Sequence, residues 1–170
     1  QFYELFSIGL LYPSPAVLIK VNLTGCDKGR YINNSECIEC AAGKYSNTIG
    51  SFQCKSCVAG KYSANSGSIQ CLTCPEGTIS NSSSNECISC SQGRYNEHKG
   101  MSICKKCSAG KFSTTIGATK EETCINCHSG LISEPGSNIC KRCNSGEFKS
   151  GDNLCSKCPV GRYGSEIGLE

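Results

Sequence analysis

From Cys26 onward one short phrase recurs: Cys, two residues, Gly, one residue, then Tyr, Phe or Ile. The glycines are Gly29, Gly43, Gly60, Gly77, Gly93, Gly110, Gly130, Gly146 and Gly161. Two residues after each stand Tyr31, Tyr45, Tyr62, Ile79, Tyr95, Phe112, Ile132, Phe148 and Tyr163. Five of the nine copies carry a second Gly seven residues after the first, at Gly50, Gly67, Gly100, Gly117 and Gly168. The others close with a shorter polar turn, as in Ser80-Asn-Ser-Ser-Ser-Asn85. A period this regular marks a tandem array rather than a single globular domain. Gly at the fourth position allows positive φ or close backbone approach beside a bridge. The aromatic or Ile that follows is expected to cover that bridge and touch the next unit. Each unit is expected to contact only its immediate neighbours.

The array is too poor in aliphatic residues to hold itself by a core. Leu, Ile, Val and Phe make only 21 of the 145 residues from Cys26 to the end. Ordering a backbone costs roughly 1–2 kcal/mol per residue, which so little apolar surface does not offset. The net charge of +3 is too small to account for the shortfall. The 17 cysteines do account for it, because small units without a core are commonly cross-linked in oxidising compartments. The reading is a small disulfide-rich β protein: an elongated tandem array of short two-stranded ribbons and turns, preceded by an apolar β segment. Its expected location is extracellular, secreted or at the cell surface.

Two pairing schemes satisfy the spacing. In one, each opening Cys bonds the Cys closing its own loop: Cys26–Cys37, Cys40–Cys54, Cys57–Cys71, Cys74–Cys87, Cys90–Cys104, Cys107–Cys124, Cys127–Cys140 and Cys143–Cys155. Cys158 is then left over, opening a loop without a closing Cys before Glu170. In the other, successive doublets interlock, such as Cys37–Cys54 with Cys40–Cys57, and Cys26 is the odd one. We favour the first, which starts at the first repeat without a spare thiol and attributes the odd count to truncation. The chain-entropy argument gives loops of this size roughly 3 kcal/mol per bridge.

Residues 1–25 differ in kind. Eleven are Leu, Ile, Val or Phe, and none is Cys. Val17, Ile19, Val21 and Leu23 alternate with Lys20 and Asn22 among the intervening residues, the pattern of a half-buried strand. Tyr12-Pro-Ser-Pro15 separates this stretch from a second apolar piece, Phe2 to Leu11. Two strands alone are marginal in water, so the segment is expected either to end an upstream β domain or to serve as an assembly strand. The division expected is therefore 1–25 apolar segment, 26–158 eight complete modules, and 159–170 the start of a ninth. Asn22-Leu-Thr, Asn33-Asn-Ser and Asn81-Ser-Ser are sequons, so Asn22, Asn33 and Asn81 are the expected N-glycan sites. The N-terminal apolar run contains Glu4 and is too short to span a bilayer, so no membrane segment is expected here.

Other chemistries fit less well. Paired Cys-x-x-Cys doublets also bind zinc, but zinc ribbons seldom repeat eight doublets in register. A redox role needs a strand–helix frame, and none surrounds these doublets. His98 lies in a turn and His128 beside Cys127, both expected as exposed polar residues; no carboxylate pair, phosphate loop or nucleophile elbow appears. We expect no enzyme, no cofactor and no nucleic-acid partner. Arg30, Lys44, Lys61, Arg94, Lys111 and Arg162 each follow a module Gly. Thr78, Leu131 and Glu147 interrupt that row, so it reads as a solvated face.

The run Cys57-Val-Ala-Gly-Lys-Tyr-Ser, Gly67, Cys71-Leu-Thr-Cys74-Pro-Glu-Gly-Thr-Ile-Ser and Cys87 resembles the ephrin-receptor-like cysteine-rich repeat. That repeat is a relative of growth-factor-receptor and TNF-receptor modules, and long arrays like this one occur in large extracellular proteins of unicellular eukaryotes. The resemblance implies a rod of disulfide-bonded β modules. Such modules serve as spacers, ligand-binding ectodomains and structural proteins alike. Monotony favours a structural role: a subunit of a secreted, glycosylated filament, appendage or coat, partnered by itself or related subunits. The alternative is a receptor stalk or ligand-binding ectodomain.

Overall fold

The computed structural model describes residues 25–151 and 153–161; the apolar segment expected over 1–25 thus lies outside the described residues, Gly25 excepted. Among the described residues the chain forms eight two-stranded antiparallel ribbons and a single 3-10 turn, Glu121–Thr123. The first ribbon pairs Arg30–Asn33 with Glu36–Glu39 through a hairpin in which Asn34 and Ser35 have φ of 46° and 66°. Two consecutive positive φ values are those of a type I′ turn, which fits the right-handed twist of a tight hairpin. The later ribbons are mostly two residues per strand, such as Lys61–Tyr62 with Leu72–Thr73. Eight bridges close eight units: Cys26–Cys37, Cys40–Cys54, Cys57–Cys71, Cys74–Cys87, Cys90–Cys104, Cys107–Cys124, Cys127–Cys140 and Cys143–Cys155. We number these units 1 to 8.

Each unit opens with a tight turn. In unit 3 the amide of Lys61 donates to the carbonyl of Val58 at 3.0 Å, with Gly60 at φ +83° in the third position. That is the position where a type II turn requires positive φ, hence Gly. The ribbon leaving this turn is joined to the next unit by backbone bonds in both directions. Gly29, Gly43, Gly60, Gly77, Gly93 and Gly110 donate to the carbonyls of Ser46, Ser63, Ser80, Asn96, Ser113 and Ser133 at 2.8–3.0 Å. In return the turns of the following units donate to the opening cysteines, as Gly67 N–H does to Cys40 and Gly100 N–H to Cys74, at 2.8 and 2.9 Å.

What fills the interior departs from expectation. The buried residues are chiefly the opening cysteines, together with Ser46, Ser63, Ser80, Asn96, Ser113 and Ser133. Of the aromatic and Ile residues expected to cover the bridges, Tyr95 alone is buried among the described ones, and the rest are half-buried. The reason is spacing: successive units approach through backbone hydrogen bonds, which leaves room for a hydroxyl but not for a ring. Three of the six buried polar side chains bond across that gap, while Ser46, Ser63 and Ser113 bond within their own turns. Ser80 Oγ donates to the carbonyl of Lys61 at 3.0 Å, Asn96 Nδ2 to Thr78 at 2.9 Å and Ser133 Oγ to Lys111 at 2.8 Å. Among the described residues no buried side-chain polar atom lacks a partner, as buried polar groups require.

The expectation that units touch only their immediate neighbours is corrected. The turn of each unit reaches back over the Gly of the unit two before it. A Cβ added at Gly29, Gly43, Gly60, Gly77 or Gly93 would stand 1.9–2.2 Å from the carbonyl oxygen of Gly67, Ser83, Gly100, Gly117 or Gly136. Side chains bridge the same distance along the array: Ser66 Oγ donates to Glu39 Oε2 at 3.0 Å, and Asn138 Nδ2 to Gln92 Oε1 at 2.9 Å. The glycines therefore have a steric role as well as a conformational one. Each of units 1 to 5 is gripped by two successors.

Candidate functional site

Within this regular frame one region is unlike the rest. Unit 6 has the longest bridge separation, 17 residues, against 11 to 14 in the other seven. Its extra length forms the 3-10 turn Glu121–Thr123. Tyr95, Ala118, Cys107 and Cys124 form a small buried cluster beside it, and Tyr95 pairs with Ala118 in an isolated bridge. Burial first, then the Glu121 carboxylate, push the Tyr95 phenol above its ordinary range. Lys105 lies over the Tyr95 ring at 5.7 Å and pairs with Glu97 at 3.0 Å.

Beside this cluster lies an open hollow between units 4 and 5, lined in part by Ile79, Ile88, Ile103 and Arg94, with Ser89 and Ser91 at its margin. Ile79 and Ile88 face each other across their ribbon; Ile88 is 56% exposed and Ile103 71%. The cation at its edge differs from its counterpart in unit 1. Arg30 stands opposite Glu39 and pairs with it at 3.0 Å. Arg94 stands opposite Lys106, and among the described residues it has no ion-pair partner. Like charges directly opposed on a ribbon are unfavourable.

The remaining sequence-derived candidates are scattered. Asn33 ends the first strand and Asn81 lies in the turn of unit 4, both exposed, while Asn22 is outside the described residues. His98 and His128 are exposed and belong to different units. The cysteines are tied up in bridges except Cys158, which carries a half-buried free thiol. Among the described residues no group of His, Cys, Asp or Glu is arranged to hold a metal ion. No helix there is long and apolar enough to cross a membrane. The basic row following the module glycines is broken up: Arg30 and Lys111 are engaged by Glu39 and Glu121, while Lys44 and Lys61 are exposed. Sequence reasoning missed the hollow because its isoleucines come from three different positions in two units. The sequence signal at its edge was Lys106, a base at a register position held by Glu39 in unit 1 and by Ser56, Thr73, Ser89 and Asn126 in units 2, 3, 4 and 6.

No curated protein matches the chain. The family described as tyrosine-protein kinase ephrin type A/B receptor-like matches residues 29–61 and 77–124. Those stretches run from the turn glycine of unit 1 into unit 3 and from unit 4 to the end of unit 6, the same ribbons, bridges and turn glycines described above. With eight bridged units in tandem, this chain is a cysteine-rich repeat protein, similar over those two stretches to the ephrin-receptor-like family.

Proposed function

We propose that the chain is a structural subunit, or a segment of one, in an extracellular filament, appendage or coat. Residues 26–158 supply eight complete modules as its shaft, 159–170 begin a ninth, and 1–25 make the assembly contact. Ephrin-receptor-like repeats are extracellular, disulfide-stiffened modules and are typically non-enzymatic. The observation that carries the reading is the continuous backbone lattice, in which each interior unit bonds to the next and packs against the next but one. Such a lattice resists bending, which suits a load-bearing rod. Oxidation of the bridges implies a secretory route, along which Asn22, Asn33 and Asn81 acquire N-linked glycans.

Negative-stain electron microscopy of purified, oxidised protein tests this reading. Repeating polymers are expected. Monodisperse single particles at all concentrations would instead fit a receptor stalk or ligand-binding ectodomain and would sink the proposal. Peptide mapping before and after glycosidase treatment checks the three asparagines.

A further inference from the structure

We propose that the hollow around Arg94 is the receptor for the N-terminal apolar segment of a second copy, with Glu4 of that copy seated on the Arg94 guanidinium. The inference rests on the assembly reading above and names the surface it uses. Its first ground is a pair of opposed cations. A ribbon position that carries Arg opposite Glu in unit 1 carries Arg opposite Lys in unit 5, at the rim of a hollow lined by Ile79, Ile88 and Ile103. A carboxylate flanked by apolar side chains satisfies both halves of that surface. It neutralises the opposed cations and covers aliphatic surface that otherwise faces water.

The second ground is the composition of the segment. Residues 1–24 contain one acid, Glu4, and one base, Lys20. Glu4 is set among Phe2, Leu5 and Phe6, the apolar-flanked carboxylate that the hollow calls for. The third ground is position. The segment joins the array at Gly25, where an added Cβ would stand 2.5 Å from the Gly50 Cα. That anchor is at the start of unit 1 and the hollow lies between units 4 and 5, three to four units further along; head-to-tail docking between copies is the arrangement proposed. A contact of this kind joins two different surfaces and propagates into an open polymer unless its rotation closes a ring.

The test uses the full oxidised chain and a pair of charge reversals, Glu4→Arg and Arg94→Glu, followed by sedimentation velocity. Each variant alone is expected to need about tenfold or more protein to assemble, because it sets like charges against each other in a desolvated contact. An equimolar mixture is expected to assemble at the wild-type concentration, into polymers containing both variants, since every segment then meets a hollow of opposite charge. Docking of a segment on its own chain gives no such rescue. Disulfide mapping of each variant verifies folding, and rescue itself requires that both be folded. Wild-type assembly by Arg94→Glu alone, or a mixture that stays dispersed while both variants hold eight bridges, overturns the inference. Removing residues 1–24 separates the two ideas. If removal abolishes polymers but the mixture is not rescued, the hollow is wrong and the assembly role of the segment stands. If polymers persist without the segment, or the wild-type chain stays monomeric, both fall.

Discussion

Replacing Gly60 by Ala isolates the next-but-one contact, because the same change can be made where that contact is missing. Gly60 and Gly146 occupy equivalent turn positions with φ of +83° and +80°. An added Cβ at Gly60 would stand 1.9 Å from the Gly100 carbonyl oxygen, whereas at Gly146 it meets nothing within 4 Å among the described residues. An L-residue in this left-handed region costs roughly 1–2 kcal/mol, and both substitutions bear that cost. At Gly60 the turn of unit 5 must also retreat, straining Gly100 N–H to Cys74 at 2.9 Å and Gly60 N–H to Ser80 at 3.0 Å. Each bond contributes about 0.5–1.5 kcal/mol net, and more if a buried group is stranded. The expected local cost is therefore about 2–5 kcal/mol for Gly60→Ala and about 1–2 kcal/mol for Gly146→Ala. Native-state hydrogen exchange of the oxidised protein reads this directly, since about 1.4 kcal/mol is a tenfold change in the opening constant. The Gly100 amide should lose protection by about tenfold to a hundredfold in Gly60→Ala and stay unchanged in Gly146→Ala. Equal local losses at the two sites would show that positive φ alone fixes the glycine and would refute the steric argument.

Three further expectations follow from the same geometry. Ser80→Ala should destabilise units 3 and 4 by about 1 kcal/mol through loss of the bond to Lys61. Ser80→Val should cost more, because the gap holds a hydroxyl and not a second methyl; chemical denaturation of oxidised protein ranks the two. Ser66, and then Arg30, hold the Glu39 carboxyl below the usual range. Because the folded state favours the charged form, its contribution is present above the unfolded pKa and is lost as pH falls through the folded one. Carboxyl carbon NMR should accordingly show the Glu39 midpoint rising in Ser66→Ala; an unmoved midpoint would remove Ser66 as its main cause. Alkylation of non-reduced protein should label Cys158 and leave the sixteen bridged cysteines untouched. Full reduction should abolish the ribbons, and circular dichroism that survives it would contradict a lattice held by bridges.

The repeat, the ribbons and the turn glycines were legible because each is a short-range consequence of a residue at a fixed offset. Gly60 follows Cys57 by three and Tyr62 by five, and those offsets fix where the turn and ribbon fall. The first of the two spacing schemes is the pairing that the structure holds. Two features were not legible. The rotation from one unit to the next, which brings Gly100 over Gly60, is a property of the stack and leaves no residue pattern inside one unit. The 3-10 turn of unit 6 follows from an insertion whose fold depends on Tyr95, a residue of the preceding unit. Sequence showed the extra length but not what it would cover.

A further consequence follows from what the stack excludes. Because units meet through backbone hydrogen bonds, the space between them admits Cys, Gly and Ser, and the larger apolar side chains are placed outside. Ile49, Phe52, Ile69, Ile103, Ile116 and Leu154 are each more than half exposed. In an ordinary domain such residues would be the core, and scattered singly on a surface they need no explanation. Here they recur along the array, spaced by lysine, serine and asparagine. Ile88 in unit 4 and Lys105 in unit 5 occupy the same position after the closing Cys, and the difference makes unit 4 one wall of the hollow. Exchanging them, as Ile88→Lys with Lys105→Ile, removes the Lys105 contacts to Glu97 and the Tyr95 ring and moves apolar surface from one unit to the next; Lys105→Ala alone is the control for the lost contacts. A shaft that acted as a uniform spacer would be indifferent to the exchange in any binding or assembly measurement. One that docks a segment between units 4 and 5 would lose that contact while keeping its eight bridges and its amide protection.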